Sequence, residues 1–128
     1  MVERYVVEIE PEVQQWLDAL PGRQHVAVEA RVDRLADDPA QARMPWARPL
    51  QDKTWELRFN LGDDSWRITY WVAPGRRVVL LTVFRKTRDN EAAEVARAKR
   101  AQKACEGTHP PADDHTVYSR TFKEGELS

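Results

Sequence analysis

The sequence is poor in the residues that build metal centres and disulfide frameworks. It has one cysteine, Cys105, so no disulfide can form within the chain, and we expect a reducing, cytoplasmic location. Its three histidines, at positions 25, 109 and 115, lack metal-ligand spacing. The five glycines form no phosphate-cradling loop, and no serine nucleophile elbow is present. We therefore expect a site without a metal or a cofactor.

Long apolar runs are also missing. No stretch approaches the ~18 residues that span a bilayer, and the N-terminal MVERYVVEIE has acids where a signal peptide is apolar. At 128 residues the chain has room for one packed domain. We predict that domain over residues 1–104, followed by a polar tail over 105–128 that is flexible or ordered by a partner. The tail's β-prone segment 116–122 could join a sheet edge.

The net charge of −1 hides an uneven distribution. Residues 1–42 carry four basic and nine acidic side chains, residues 43–104 carry fourteen and seven, and residues 105–128 carry two and five. A basic middle between acidic ends suits a polyanionic ligand, because phosphate binding needs a local cationic field. Ordinary surface charge in a chain that is 32% charged is the alternative.

Apolar spacing predicts the outer elements. We expect an edge strand over 4–10, helices over 11–20 and 23–37, a proline-rich loop over 38–50 and a last helix over 91–104. Four apolar residues of the second helix share a face that needs a sheet to cover: Val28, Val32, Leu35 and Ala36. Four charged residues of the same helix are expected to face water: Glu29, Arg31, Asp33 and Arg34.

Residues 55–86 organise the rest of the chain, because they read as three antiparallel strands joined by short links. The first link is expected to place Asn60 opposite Ser65, and so Arg58 directly opposite Arg67. Like charges in that arrangement are destabilising unless an anion lies between them or water screens them.

A two-residue link, Pro74-Gly75, brings in the third strand. It is expected to turn three side chains toward the helices: Val79, Leu81 and Val83. It is expected to turn five toward the arginines: Val78, Leu80, Thr82, Phe84 and Lys86. The predicted patch on that second face contains Glu56, Arg58, Arg67, Thr82, Phe84 and Lys86.

Arginines and a lysine on a metal-free sheet suit RNA cleavage by the RNA's own 2′-hydroxyl. Arginines stabilise the charged phosphorane, and each proton transfer is worth roughly 10²–10⁴-fold. Glu56 or a deprotonated Lys86 could accept the hydroxyl proton, but Glu56 suits better the role of an ion-pair partner that holds Arg58 or Arg67. Phe84 could stack on a base or belong to the core. Four more cations are predicted to bind RNA phosphates: Arg48, Lys53, Arg85 and Arg88.

These residues carry a resemblance. The element order, the run Trp55-Glu56-Leu57-Arg58, the pair Arg67 and Tyr70, and the segment 80–87 leading into an alanine-rich helix resemble the RelE/ParE toxin superfamily. The chain is most similar, over about residues 4–104, to its HigB-like, phage-derived branch. The resemblance implies an α+β, RelE-like fold, in which an N-terminal strand and a helix hairpin pack on an antiparallel sheet followed by a C-terminal helix.

The resemblance also implies a function. It points to a ribosome-dependent mRNA endonuclease that inhibits translation and is neutralised, in a toxin–antitoxin hetero-oligomer, by a helix-turn-helix antitoxin. Arg58 and Arg67 match the strand arginines of the superfamily, and Arg85-Lys86-Thr87 stands where many members have a Lys-Lys-Thr run. Some members use a C-terminal histidine or tyrosine; His115 and Tyr118 are the candidates here, and both lie beyond the resemblance.

Two other functions stay open. ParE-like members poison a DNA topoisomerase (gyrase) and cut nothing. A degenerate toxin would act only as an antitoxin-binding module.

Overall fold

The computed structural model describes residues 4–108 and a two-residue strand at 116–117. The elements, in chain order, are β1 (Val6–Ile9), α1 (Pro11–Asp18), α2 (Gly22–Asp37), a 3₁₀ turn (Pro39–Gln41), β2 (Ala47–Pro49), β3 (Trp55–Leu61), β4 (Asp64–Ala73), β5 (Arg77–Arg85), α3 (Glu91–Gly107) and β6 (Thr116–Val117). This is the α+β architecture predicted from the sequence. The rest of the predicted tail, including His115 and Tyr118, lies outside the described residues.

The strands form one sheet in the order β2-β3-β4-β5-β1-β6. β1 runs parallel to β5, and every other neighbouring pair is antiparallel. The sheet is therefore mixed rather than wholly antiparallel, because its parallel neighbours β1 and β5 are separated in sequence by two helices and three strands. The prediction of an edge position for the first strand is wrong, since β6 pairs with it at Glu8 and Ile9. That pairing confirms, for Thr116–Val117, the predicted strand addition by the tail.

The register between β3 and β4 is as predicted. Asn60 pairs with Ser65, and Arg58 lies directly opposite Arg67. A two-residue turn joins the strands, and its Gly62 has a φ of 61°, in the left-handed region that glycine adopts without strain. The next connection has three residues, 74–76, rather than the predicted two.

A β-bulge divides β5. Thr82 pairs with Thr69, but Leu80 pairs with Tyr70, so Leu81 is an extra residue. Thr82, Val83 and Phe84 keep their predicted faces. The four residues before Thr82 are reversed: Val78 and Leu80 join the core under the helix hairpin, whereas Val79 and Leu81 pack near Cys105 of α3.

The main core lies between the α1–α2 hairpin and the sheet. The predicted stripe of α2 is buried, with Val28 and Leu35 both 0% exposed. Two of the charged residues expected in water, Glu29 and Asp33, are buried instead. Asp33 is compensated by Arg4, whose Nη2 donates a hydrogen bond to its carboxylate at 2.6 Å.

A smaller core lies on the opposite face of the sheet, under α3. Trp71 is 1% exposed, and its indole N–H donates to the Cys105 sulfur at 3.4 Å. Because Gln102 and Cys105 are buried there, α3 continues to Gly107, three residues beyond its predicted end. Burial raises the pKa of the Cys105 thiol, which agrees with an unreactive structural role.

The proline-rich loop contains structure that the sequence did not reveal, namely the 3₁₀ turn and β2. Trp46 is half-buried and packs against the main core. Among the described residues, no helix is long and apolar enough to cross a bilayer, and no group of three metal-ligating side chains occurs.

Candidate phosphate-binding site

Three neighbouring strands bring three arginines together. Arg48 on β2 pairs with Glu56 on β3, and Arg58, two residues further along β3, pairs with Arg67 on β4. Residues two apart on a strand point to the same face. Arg48, Arg58 and Arg67 therefore surround Glu56 on the face opposite the helix hairpin, and we refer to them as the arginine cluster.

Glu56 is the centre of the arginine cluster and is only 1% exposed. Its Oε2 atom lies 3.1 Å from Arg48 Nε, 3.6 Å from Arg58 Nε and 3.7 Å from Arg67 Nε. Among the described residues, neither carboxylate oxygen has a partner with hydrogen-bond geometry. The contacts are therefore ion pairs shared between three cations.

In this geometry Glu56 is the ion-pair partner of Arg58 and Arg67. The facing arginines therefore already have an internal counter-ion. Burial leaves the carboxylate little access to a substrate hydroxyl, so the structure favours a positioning role for Glu56 over that of a base.

A second carboxylate closes one side of the site. Arg48 Nη2 donates to Glu91 Oε1, at the start of α3, across 2.5 Å. That hydrogen bond raises the pKa of Arg48 and lowers the pKa of Glu91. Arg67 and Lys86 also lie close enough to Glu91 to lower its pKa. With Lys86 the site holds four cations against two carboxylates, which leaves an excess of positive charge.

Arg67 and Arg58 differ in how free they are. The Arg67 side chain is 9% exposed, its Nη1 donates to the Trp66 carbonyl at 2.9 Å, and burial lowers its pKa. The Arg58 side chain is 26% exposed, and its Nη1 lies 3.1 Å from the sulfur of Met44, a weak acceptor. Of the two facing arginines, Arg58 is therefore the one whose guanidinium still has N–H donors available for a ligand.

Lys86 lies between β5 and α3, where backbone hydrogen bonds fix its position. Its backbone N–H donates to the Ser65 carbonyl at 2.8 Å. Asn90, the residue before α3, donates to the Arg85 carbonyl and accepts from the Thr87 N–H, so it fixes the backbone on both sides of Lys86. The Lys86 ammonium donates to the Thr87 carbonyl at 2.8 Å and lies beside Glu91.

Of the other predicted phosphate-binding residues, Lys53 and Arg85 are not brought to the arginine cluster. Lys53 forms an ion pair with Glu106 in the last turn of α3. Arg85 pairs with Trp66, whose ring packs against α1, so it projects from the opposite face, where it lies 3.6 Å from Asp64. Arg88 is exposed between β5 and α3.

Phe84 lies opposite Arg67 and is 6% exposed, which favours the core role over base stacking. Sequence reasoning missed Glu91 as part of the site. The sequence feature that could have revealed Glu91 is an acidic residue in the first turn of the helix that follows the last cationic strand.

The sequence profile of the phage-derived Gp49-like proteins (DUF891) matches residues 15–105, which is most of the chain. The chain belongs to this family. The match agrees with the phage-derived branch that the motifs pointed to, and its limits contain every residue of the arginine cluster. No curated protein matches the sequence of this Gp49-like chain.

Two solved structures share the fold of the Gp49-like chain. The first is the RelBE2 toxin–antitoxin complex of Mycobacterium tuberculosis, with 22% identity and a TM-score of 0.52, covering 69% of this chain and 98% of that chain. The second is a free mutant of the Escherichia coli toxin RelE, with 15% identity and a TM-score of 0.50, covering 80% and 98%. These likenesses confirm the predicted RelE-like fold.

Proposed function

We propose that this Gp49-like chain is a cytoplasmic toxin of a toxin–antitoxin system that cleaves mRNA on the ribosome and is neutralised by a cognate helix-turn-helix antitoxin. The observation that carries the proposal is the excess of cations over carboxylates around Arg58 and Arg67. The RelE-like fold and the toxin–antitoxin complex among its structural neighbours support the assignment.

The proposed reaction is attack of the RNA 2′-hydroxyl on the adjacent phosphorus. The P–O5′ bond breaks as the P–O2′ bond forms, giving a 2′,3′-cyclic phosphate and a 5′-hydroxyl. Arg58 donates to the phosphorane oxygens, and Arg67 adds positive charge from behind it. Lys86 supplies an ammonium proton to the leaving 5′-oxygen, while the 2′-hydroxyl proton passes to solvent. Glu56 keeps both guanidiniums in place before substrate arrives.

One observation favours a second candidate. Because Glu56 already neutralises part of the arginine pair, the cluster can also be stable with no substrate at all. That arrangement fits a ParE-like topoisomerase inhibitor or a pure antitoxin-binding module, in which the same residues only hold the sheet together.

The test is to add the purified protein separately to ribosomes translating a defined mRNA and to gyrase supercoiling a plasmid. We expect cleaved mRNA with 2′,3′-cyclic phosphate ends and unaffected supercoiling. Loss of supercoiling with intact mRNA would overturn the proposal in favour of the ParE-like candidate. If the mRNA stays intact and supercoiling is normal, but the purified protein still binds its antitoxin in a separate binding assay, the result would favour the binding module.

A further inference from the structure

An open cavity of about 430 Å³ lies beside the arginine cluster, within the size range of small-molecule sites. It is formed by the end of α2, the 3₁₀ turn and the segment that leads into β2. Its walls include Arg34, Asp38, Gln41, Arg43, Met44 and Trp46. We call it the loop cavity.

The loop cavity and the arginine cluster share a wall. Met44 lines the cavity, and its sulfur lies 3.1 Å from Arg58 Nη1. The Arg58 backbone N–H also donates to the carbonyl of Trp46, another cavity residue, at 2.8 Å. A nucleotide whose phosphate is held by Arg58 therefore has the loop cavity within reach of its base.

One wall of the loop cavity suits a flat ring. The Arg34 guanidinium lies over the Trp46 ring, with its central carbon 4.1 Å from the ring centroid. The indole covers one face of this planar cation, and because Arg34 is exposed in the cavity wall we expect its other face to accept a second flat group. Unstacked RNA bases stack on arginine planes as well as on aromatic rings.

The polar side chains of the loop cavity suit the edge of a base. The Asp38 carboxylate forms no ion pair with any residue between 4 and 108, and Gln41 is exposed. A carboxylate accepts hydrogen bonds from the exocyclic amino group of cytosine, and an amide can bind adenine. Uracil has no amino group to donate.

We propose that the loop cavity binds the base of the nucleotide next to the cleaved phosphate and favours bases with an exocyclic amino group over uracil. The base stacks on Arg34, and its amino group donates to Asp38. This inference rests on the proposed RNA cleavage and adds a source of sequence preference to it.

The test maps the 5′ ends of RNA cut on ribosomes by the wild-type protein and by Asp38→Asn. We expect uridine to be depleted about tenfold at one position beside the wild-type cut, and the depletion to disappear in Asp38→Asn. Asp37→Asn is the matched control, since this neighbouring exposed carboxylate lies outside the cavity, and its profile should equal the wild-type profile. Identical base profiles for Asp38→Asn and the wild type would overturn the inference.

A binding measurement separates this inference from the proposed reaction. We expect cytidine 5′-monophosphate to shift the Trp46 indole N–H signal in an NMR titration, uridine 5′-monophosphate to shift it less, and Arg34→Ala to abolish the response. Arg31→Ala, an exposed arginine one turn earlier on α2, should respond like the wild type. A missing cytidine response would overturn the cavity assignment even if the RNA is cut. A normal response with uncut RNA would instead defeat the proposed reaction.

Discussion

Replacing Glu56 with glutamine tests how the site is held together. The change removes the charge of a carboxylate that is 1% exposed and shared by three guanidiniums at 3.1–3.7 Å. The shape of the side chain is kept, so packing contributes little to the result. What remains is a set of arginines in mutual repulsion with no central anion.

The expected loss of stability can be bounded. Removing one partner of a buried ion pair costs about 3–5 kcal/mol, because the remaining charge stays desolvated. Arg48 and Arg58 are partly exposed and can turn to water, so we expect the lower end, about 3 kcal/mol. For a chain of this length that is a fall of about 10 °C in Tm.

The assay is thermal unfolding followed by circular dichroism, with and without sulfate. Glu56→Gln should unfold about 10 °C below the wild type, and sulfate should raise its Tm more than it raises that of the wild type, because the added anion replaces the missing charge. Asp63→Asn, in the exposed β3–β4 turn, is the control and should match the wild type. An unchanged Tm for Glu56→Gln would refute the claim that this carboxylate holds the arginines.

Three further predictions concern other contacts. Because the hydrogen bond from Arg48 lowers the pKa of Glu91, this contact should stabilise the fold above the ordinary carboxyl pKa of about 4.3 and lose its effect as the pH falls further. In urea unfolding measured from pH 3 to pH 7, the free energy of unfolding of Glu91→Gln should therefore fall less at acid pH than that of the wild type. Cys105 is 6% exposed and its pKa is raised, so iodoacetamide should label it at least about tenfold more slowly in the folded than in the urea-unfolded protein; equal rates would contradict its burial. The buried Thr69 and Thr82 hydroxyls lie 2.5 Å apart, so Thr82→Val should cost about 1–3 kcal/mol in urea unfolding; a variant as stable as the wild type would contradict this hydrogen bond.

Local patterns along the chain determined most of the fold. Alternation and turn chemistry predicted the β3–β4 register correctly, including Arg58 opposite Arg67, because a short turn leaves one register that buries Leu57 and Ile68. The helical stripe of α2 was equally readable. Both features depend on residues that are close in sequence.

Features that depend on contacts between residues far apart in sequence were not predicted. The bulge at Leu81 places four side chains of β5 on the faces opposite to those predicted. No local residue indicates the bulge, since the strand is apolar on both faces. β2 forms only because β3 offers an edge to the three residues Ala47–Pro49. Burial of Asp33 requires Arg4, 29 residues away.

The candidate site was predicted in part for the same reason. Arg58 and Arg67 lie on adjacent strands of one meander, so their convergence could be deduced from alternation. Arg48 and Glu91 reach the site from a separate strand and from a helix, and they meet each other across 43 residues of sequence. Lys53 is held away by a tertiary ion pair with Glu106 that charge counting cannot reveal, whereas Arg85 projects from the other face of the sheet because it alternates with Phe84 along β5.

The role of Arg58 in RNA cleavage is tested by the rate of mRNA cleavage on programmed ribosomes by Arg58→Ala, compared with the wild type and with Arg23→Ala. Arg23 is an exposed arginine at the start of α2, outside the arginine cluster, and serves as the matched control. We expect Arg58→Ala to lower the rate at least about 100-fold, because one preorganised donor to the phosphorane is lost, and Arg23→Ala to cleave like the wild type. Equal cleavage by Arg58→Ala and Arg23→Ala would show that Arg58 does not stabilise the transition state.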